Sequence, residues 1–237
     1  VLMALWARVA LIGVSVFALV FLWGYIVPMG PQSVTETESV TWEYADEQFD
    51  VELPSSYIQF PVPRTGLPMR ISTFITEDCA VRSIAEFVET RYHGDDVLFK
   101  AYIVGRTVHN NLTYQEDSNL DRWKLPWETV RDGGGDCEDF TVLICSVLKY
   151  MGIESVILID RHHSAVGIPV EPGTVENPVE YFGKTYAVMD SAGGSNMPGE
   201  YAFEPYMMVC YELSLWNWAE IVTYLGLLMI CLVALVR

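Results

Sequence analysis

The feature that most constrains this chain is a run of three glycines, an aspartate and a cysteine that leads directly into a long apolar stretch. Residues 133–136 read Gly-Gly-Gly-Asp, Cys137 follows, and the apolar stretch of residues 141–151 ends at Gly152. Glycine adopts backbone angles that are closed to other residues, so the chain can turn sharply here. An aspartate after such a turn is a typical helix N-cap. The pattern therefore predicts a buried helix with Cys137 in its first turn.

A cysteine in this position has two interpretations. Unpaired backbone N–H groups and the positive end of the helix dipole favour a thiolate over a thiol, and a thiolate is the nucleophile of covalent catalysis. The alternative is a small core residue, since free cysteines are usually buried and inert. Catalysis further requires a histidine base and a group that orients this base.

Two adjacent histidines follow a predicted strand and are the candidates for that base. The apolar run of residues 155–159 predicts a buried strand, and His162 and His163 come shortly after it. Neighbouring residues of an extended chain face opposite ways, so only one of the two points at the cysteine. We favour His163, because it would share a face with Ala165 and Gly167, which let a helix and a substrate approach closely. His162 is the alternative.

An acidic group at the end of another predicted strand is the candidate for the orienting residue. Residues 184–190 predict a strand that ends at Asp190. A carboxylate there would accept the Nδ1 proton of His163, fix its tautomer and stabilise the imidazolium. Asp160 and Glu180 are weaker alternatives, and the Ser-Ala-Gly-Gly sequence after Asp190 is equally typical of a turn.

These residues together resemble the transglutaminase-like superfamily, in which a cysteine at a helix N-terminus, a histidine and an aspartate follow one another along the chain. The resemblance covers roughly residues 80–195. It is carried by residues 127–130 (Trp-Glu-Thr-Val), 135–140 (Gly-Asp-Cys-Glu-Asp-Phe) and 148–153 (Leu-Lys-Tyr-Met-Gly-Ile), and by His163 and Asp190.

The resemblance implies an α+β domain with a papain-like core, in which the cysteine helix packs on an antiparallel sheet. It also implies Cys137 as nucleophile, His163 as base and Asp190 as orienting acid; members of the superfamily include proteases, amidases and protein cross-linkers. The backbone N–H of Cys137 would supply one oxyanion donor, with Trp127 or Tyr114 as candidates for a second. The five cysteines show no paired CxxC spacing, so we expect no metal and no cofactor.

Two apolar stretches predict transmembrane helices on either side of this domain. Residues 1–27 contain an uncharged run over residues 9–27, and residues 213–236 form the second stretch, which Asn217 and Glu220 interrupt. Each can span a bilayer core of about 30 Å, which takes roughly 20 helical residues. The alternative for the first stretch is a cleaved signal peptide, which would have a shorter apolar core and a small-residue cleavage pattern.

The predicted spans set the domain organisation and the expected location. Residues 28–71 are expected to form an extended, acidic and proline-rich connector, and residues 72–210 the transglutaminase-like domain, with helices over 79–92 and 96–110. Arg8 and Arg237 flank the outer ends of the spans, so the positive-inside rule places both termini in the cytoplasm. The central domain would then face the outside of the cell membrane.

Charge and cysteine usage bear on the expected partners. The chain has 31 acidic and 14 basic residues and a net charge of −17, which argues against nucleic acid as a partner. A protein or peptide substrate, the lipid bilayer and other membrane protein subunits are the partners that we expect. In an exported domain Cys79 and Cys210 would be able to form a disulfide if they met, and the sequence leaves that open.

Two functions from different classes remain. The first is a membrane-anchored thiol enzyme that acts on amide bonds, as a cysteine protease, an amidase or an acyltransferase, through a Cys-His-Asp triad and an acyl-enzyme. The second is a binding or assembly module of a membrane complex in which the triad is catalytically silent.

Overall fold

The computed structural model describes residues 37–55, 74–117, 122–192, 197–200, 202–205 and 207–209. These residues form four helices and nine strands. The helices are α1 (Cys79–Arg91), α2 (Val97–Asn111), α3 (Pro126–Asp132) and α4 (Cys137–Tyr150). The strands are β1 (Thr37–Tyr44), β2 (Glu47–Pro54), β3 (Thr113–Tyr114), β4 (Gly134–Gly135), β5 (Val156–Ile159), β6 (Ser164–Val170), β7 (Pro178–Tyr181), β8 (Lys184–Met189) and β9 (Met207–Val209).

Both predicted transmembrane segments, residues 1–27 and 213–236, lie outside the described residues. Among the helices that the structure does describe, none is long and apolar enough to cross a membrane. The two spans therefore stay predictions from the sequence.

Helices α1 and α2 match the predicted helices to within one residue at each end. Each begins after an aspartate, Asp78 for α1 and Asp96 for α2, whose side chain accepts a hydrogen bond from the backbone N–H three residues on, at 3.1 and 3.0 Å. Such a cap satisfies one of the donors that a helix start leaves without an intrahelical partner. The sequence marked these two helix starts correctly.

The central element is a five-stranded antiparallel sheet with the strand order β7-β8-β6-β5-β9. Helix α4 packs against β5 and β6, and also contacts α1, α2 and α3. The predicted α+β arrangement, a cysteine helix on an antiparallel sheet, is confirmed for the described part of the chain. The strands predicted over 155–159 and 184–190 are found as β5 and β8.

The two faces of this sheet are covered by different apolar clusters. Val166 and Ile168 of β6 point into the main core, where they meet the apolar side chains of α4. Ala165 of β6 and Val188 of β8 point the other way, into a smaller cluster that includes Phe203. Successive residues of a strand face opposite sides, so the uninterrupted apolar sequence of β6 reflects burial on both faces.

A β-hairpin forms within the stretch predicted to be a connector. Strands β1 and β2 are joined at Ala45 and Asp46, both at positive φ (50° and 67°), as a two-residue type I′ turn requires. Val51 and Leu53 of β2 are buried in the main core, and the Ser83 hydroxyl of α1 accepts the Glu52 N–H at 3.1 Å. The predicted connector over residues 28–71 did not allow for this hairpin, whose residues 37–54 pack on the helices.

Candidate functional site

Each of the three glycines before Cys137 occupies a position that a side chain would disturb. Gly133 ends α3 in the left-handed region at φ 70°. A Cβ on Gly134 would lie 2.0 Å from the carbonyl oxygen of Thr113, and one on Gly135 would lie 2.4 Å from Oδ2 of Asp139. The motif therefore lets the chain pass closely between β3 and the start of α4.

Helix α4 begins at Cys137, as predicted, with Asp136 as the N-cap residue. The Asp136 side chain makes no capping hydrogen bond, which differs from its expected role. The segment before the helix is held instead by β3, which pairs in parallel with β4. One residue after β3, the Gln115 N–H donates to the Gly135 carbonyl at 2.8 Å. The position of Cys137 at the helix start is thus fixed by the backbone pairing of β3 with β4.

The three residues predicted from the sequence meet at this helix start. The His163 imidazole lies close enough to the Cys137 side chain to lower the pKa of the thiol. Nε2 of His163 lies 2.8 Å from Oδ1 of Asp190, which also accepts the Ala192 N–H at 3.0 Å. The chain therefore places a thiol, an imidazole and a carboxylate next to one another in a Cys-His-Asp row.

The ring nitrogen that faces the carboxylate is Nε2, and the expectation of an Nδ1 contact with Asp190 was wrong. The pairing with Asp190 occupies Nε2, so Nδ1 is the nitrogen left to face the thiol. The expectation followed the Ser-His-Asp triad, in which Nδ1 faces the acid. The orienting role of a carboxylate is the same for either nitrogen.

The environment favours charge separation between the cysteine and the histidine. Burial alone would raise the pKa of the Cys137 thiol, but hydrogen bonds from His163 and from the Ser164 backbone N–H outweigh it, and the net pKa is lowered. The hydrogen bond to Asp190, followed by that to Cys137, raises the pKa of His163 to about 10. Both shifts favour a thiolate beside an imidazolium at neutral pH.

His163 is held in place by a turn that Asp160 builds. Oδ1 of Asp160 accepts the backbone N–H groups of His162 and His163, both at 2.7 Å, and the Asp160 N–H donates to the His163 carbonyl at 2.9 Å. The side chain of His162 is exposed to solvent. Asp160, a weaker candidate for the orienting acid, therefore fixes the backbone of the histidine instead.

The structure places His163 beside Asp190 and leaves the side chain of His162 exposed, but the reason expected for favouring His163 was wrong. Ala165 belongs to the small cluster on the sheet face away from α4. A Cβ on Gly167 would lie 2.8 Å from Val156 and 2.9 Å from Leu158, so this glycine makes room for β5 and not for a helix. His163 reaches Cys137 because it lies beyond the end of the strand.

The other candidates named from the sequence lie in three different parts of the domain; they are Glu180, Trp127 and Tyr114. Glu180 on β7 accepts a hydrogen bond from the Thr185 hydroxyl at 2.7 Å, at the outer side of the sheet. Trp127 packs in the main core with the guanidinium of Arg131 at 4.1 Å from its ring. Tyr114 is the candidate oxyanion donor closer to the site, since the charge of Cys137 contributes, after burial, to raising its pKa.

Three buried hydroxyl groups next to the site were missed in the sequence. Thr141 lies one helical turn after Cys137, Ser164 directly follows His163, and Ser191 directly follows Asp190. Their oxygen atoms lie within hydrogen-bond distance, with Thr141 Oγ1 at 3.1 Å from Ser164 Oγ and 2.7 Å from Ser191 Oγ. The available signal was their position, each next to or one turn from a predicted site residue.

A buried ion pair between Lys124 and Asp139 holds the glycine segment that precedes Cys137. Asp139 is fully buried; Oδ1 accepts the Lys124 backbone N–H at 2.7 Å, and Oδ2 lies 3.2 Å from Lys124 Nζ. The same Nζ donates to the Gly134 carbonyl at 3.1 Å. Burial raises the pKa of Asp139 to about 7 although Lys124 acts in the opposite direction.

Three carboxylates near the cysteine are placed to share a cation. One oxygen from each of Asp117, Asp136 and Glu138 lies within 4.8 Å of the other two, and Glu138 Oε2 is also 3.3 Å from Cys137 Sγ. Carboxylate oxygens are the ligands that Ca²⁺ and Mg²⁺ prefer. The expectation of no metal came from the cysteine spacing, which does not bear on an oxygen-ligand cluster of this kind.

The cysteines of the described residues are thiols and form no disulfide. Cys79 lies at the start of α1, while Cys145 is buried in α4, where its thiol donates to the Val156 carbonyl at 3.8 Å. Cys210 lies outside the described residues, so a bridge from Cys79 to Cys210 has no structural description. Cys145 therefore provides an internal comparison for Cys137, on the same helix.

Comparison with known proteins finds a family to which the middle of the chain is similar. A family model described as the transglutaminase-like superfamily matches residues 76–178, which include Cys137 and His163. No curated protein matches the chain. Among solved structures, Legionella pneumophila LapG matches at 18% identity over 55% of this chain and 87% of LapG, with a TM-score of 0.31.

Proposed function

We propose that this protein is a membrane-anchored, transglutaminase-like thiol enzyme that acts on amide bonds through Cys137, His163 and Asp190. The observation that carries the proposal is the 2.8 Å hydrogen bond between His163 and Asp190 beside Cys137 at the start of a buried helix, where His163 lowers the pKa of the Cys137 thiol. The family match over residues 76–178 supports a thiol enzyme at the level of the superfamily.

The resting state of the proposed enzyme is a thiolate and imidazolium pair. The carboxylate of Asp190 stabilises the positive charge of His163, and the positive charge stabilises the thiolate of Cys137. The helix start adds to this, because its free N–H groups and dipole favour negative charge. His163 and Asp190 are each about one-fifth exposed, so solvent and substrate have access to the pair.

In the first half of the reaction, the Cys137 thiolate attacks the carbonyl carbon of the amide. The carbonyl electron pair moves to the oxygen, and the backbone N–H of Cys137, which as the first helical residue has no intrahelical acceptor, donates to this oxyanion. The C–N bond then breaks as the His163 imidazolium gives its proton to the departing nitrogen. The products are an amine and a thioester on Cys137.

In the second half, neutral His163 takes a proton from a water molecule or an amine, which attacks the thioester carbonyl. The C–S bond breaks, the thiolate returns and the imidazolium is restored. Water gives a carboxylic acid and an amine gives a new amide, so hydrolysis and acyl transfer share the same residues. Asp190 keeps the ring oriented through both halves without taking up the proton.

The proposed substrate is a protein or peptide, and the proposed location is the cell membrane. The two apolar stretches, residues 9–27 and 213–236, are each long enough for a bilayer span, and they support the anchoring. With both termini in the cytoplasm, as the flanking Arg8 and Arg237 favour, the thiol domain would act outside the cytoplasm. Protease accessibility of the domain in intact cells tests this orientation.

The enzyme proposal is tested by the alkylation rate of Cys137 in the full chain. The protein is treated with iodoacetamide at pH 5–9, and labelling of each cysteine is followed by peptide mass spectrometry. At pH 6 we expect Cys137 to react at least about tenfold faster than Cys145, and to lose this advantage in His163→Ala, because an unpaired thiol is almost fully protonated there.

His162→Ala is the matched control, since it removes the neighbouring, exposed imidazole. This variant should keep the fast labelling of Cys137. If Cys137 of the unaltered chain instead reacts as slowly at pH 6 as it does in His163→Ala, the pair is not charged. The protein is then better described as a binding module without chemistry.

A further inference from the structure

A second row of contacts, made of hydroxyl groups, lies directly behind the Cys-His-Asp row. Thr141, Ser164 and Ser191 are each at most 3% exposed. The Thr141 hydroxyl donates to the Cys137 carbonyl at 2.7 Å, while Ser191 Oγ lies 3.2 Å from the same carbonyl and 3.4 Å from the Ser164 carbonyl. The three side chains thus join α4, β6 and the segment after β8.

The strand register explains why this second row follows the first. Val166 of β6 pairs with Met189 of β8, so continuing the same antiparallel register sets Ser164 opposite Ser191. Both point to the sheet face covered by α4, where Thr141 meets them. His163 and Asp190 are each one residue away, on the other face, and are diagonal neighbours across the same two strands.

The protons of the three hydroxyls have a consistent assignment. Thr141 has one proton, which goes to the Cys137 carbonyl, so its oxygen accepts from both serines. The shortest contact of Ser191 is to Thr141, which places the Ser191 proton there. The Ser164 proton likewise goes to Thr141, at 3.1 Å. Each hydroxyl therefore has a partner although water is excluded.

We propose that Thr141, Ser164 and Ser191 are positioning residues, whose hydroxyl contacts hold the cysteine helix at a fixed distance and angle from the strands that carry His163 and Asp190. The proposal rests on the proposed thiol chemistry, because the geometry that it maintains is that of the Cys137–His163 pair. Thr141 is the central member, since it contacts both serines and the backbone of Cys137.

Apolar packing by itself fixes such a geometry less tightly than these bonds do. Apolar contacts are not directional, whereas a fully satisfied buried hydrogen-bond network specifies a single arrangement. A displacement of about 1 Å between reacting groups costs about a hundredfold in rate. Hydroxyl groups at the junction of α4 and the sheet are therefore suited to keep the sulfur within hydrogen-bond distance of the imidazole.

The test compares Thr141→Val with Thr141→Ser in the full chain. Valine has nearly the shape of threonine but no hydroxyl, and serine keeps the hydroxyl but not the methyl group. We measure the pH profile of Cys137 alkylation by iodoacetamide, site by site. We expect Thr141→Val and Ser191→Ala to slow labelling at pH 6 about tenfold, a rise of about one pKa unit, and Thr141→Ser to keep the original profile.

Thr107→Val is the matched control, because Thr107 is also fully buried in a helix and its hydroxyl donates to the carbonyl four residues back, at 2.8 Å. It should lower the melting temperature without moving the alkylation profile. If Thr141→Val or Ser191→Ala folds and keeps the original pH profile of Cys137 alkylation, the positioning role is wrong. If Thr141→Val does not fold, the result for Ser191→Ala decides between the two outcomes. Slow labelling of Cys137 in the unaltered chain would instead overturn the proposed function itself.

Discussion

The two ends of helix α4 are equally buried but differ in chemistry. Four of the first five residues are Cys137, Glu138, Asp139 and Thr141, which bury thiol, carboxyl and hydroxyl groups, whereas the part from Val142 to Leu148 is almost entirely apolar. Burial at the apolar end stabilises the fold, while burial at the polar end strengthens electrostatic interactions at a cost in desolvation. We therefore expect one end to supply stability and the other to supply reactivity, a division that can be tested residue by residue.

The largest expected effect on stability is at the apolar end. Leu143 is fully buried, and Leu143→Ala should lower the free energy of unfolding by about 2–5 kcal/mol through lost burial and the cavity left behind. Urea denaturation measures this, with Phe182→Ala as control because Phe182 is 87% exposed. The folded fraction should keep the alkylation profile of Cys137. A changed profile would show that the two ends are not separable.

The next effect concerns pH and the polar end. Because the pKa of Asp139 is raised from 3.8 to about 7 by burial, the folded protein holds a proton that the unfolded chain releases. Its contribution is complete below pH 4 and is lost as the pH rises through about 7, by up to about 4 kcal/mol. Denaturation of the protein and of Asp139→Asn across pH 4–8 should show this loss only in the former. Parallel curves would contradict the assignment.

A smaller effect is expected at the glycines before the helix. A Cβ on Gly134 would meet the Thr113 carbonyl at 2.0 Å, and Gly134→Ala should destabilise the protein by about 3 kcal/mol. Gly133 has open space around it but a positive φ, so Gly133→Ala should cost only about 1–2 kcal/mol. Thermal and urea unfolding measure both. The reverse order would mean that backbone conformation, and not close approach, makes this motif glycine-rich.

The smallest effect is that of Asp190 on reactivity. Asp190→Asn removes the charge that raises the pKa of His163 to about 10, so the thiolate should become less populated and alkylation at pH 6 about tenfold slower. Glu180→Gln is the control on the same sheet.

In the unaltered protein the His163 contribution to stability is complete below pH 6.5 and is lost towards pH 10. This loss should weaken in Asp190→Asn; an unchanged pH profile would contradict the pairing.

Much of the fold was predictable because it follows from local patterns. Helical periodicity marked α1 and α2, the glycine run and Asp136 marked the start of α4, an apolar run marked β5, and residues 184–190 read as the strand that became β8. The hairpin β1–β2 was missed because its apolar residues alternate with acidic ones in a stretch that reads as a polar connector. Burial against α1, a contact distant in sequence, is what makes it part of the domain.

The three candidate site residues could be chosen from residue type and order, while their contacts could not. The face of His163, and the ring nitrogen that it turns to Asp190, depend on where β6 begins relative to α4. The hydroxyl row was missed for a similar reason. A threonine and two serines have no distinctive spacing along the chain, and only the pairing of β6 with β8 brings them together.

The pairing of β6 with β8 has a consequence for folding errors. The side-chain period of a strand is two, so a slip by a single residue exchanges its two faces. In such a misregistered form Ser191 would face His163, and Asp190 would face the interior beside Thr141. The chain would keep its backbone hydrogen bonds but would lose the carboxylate beside His163. An insertion in the loop of residues 171–177, which connects β6 to β7, is therefore harmless only if it leaves the register of β6 and β8 unchanged. The correct register of β6 and β8 is thus a condition for the reactivity of Cys137 as well as for the stability of the sheet.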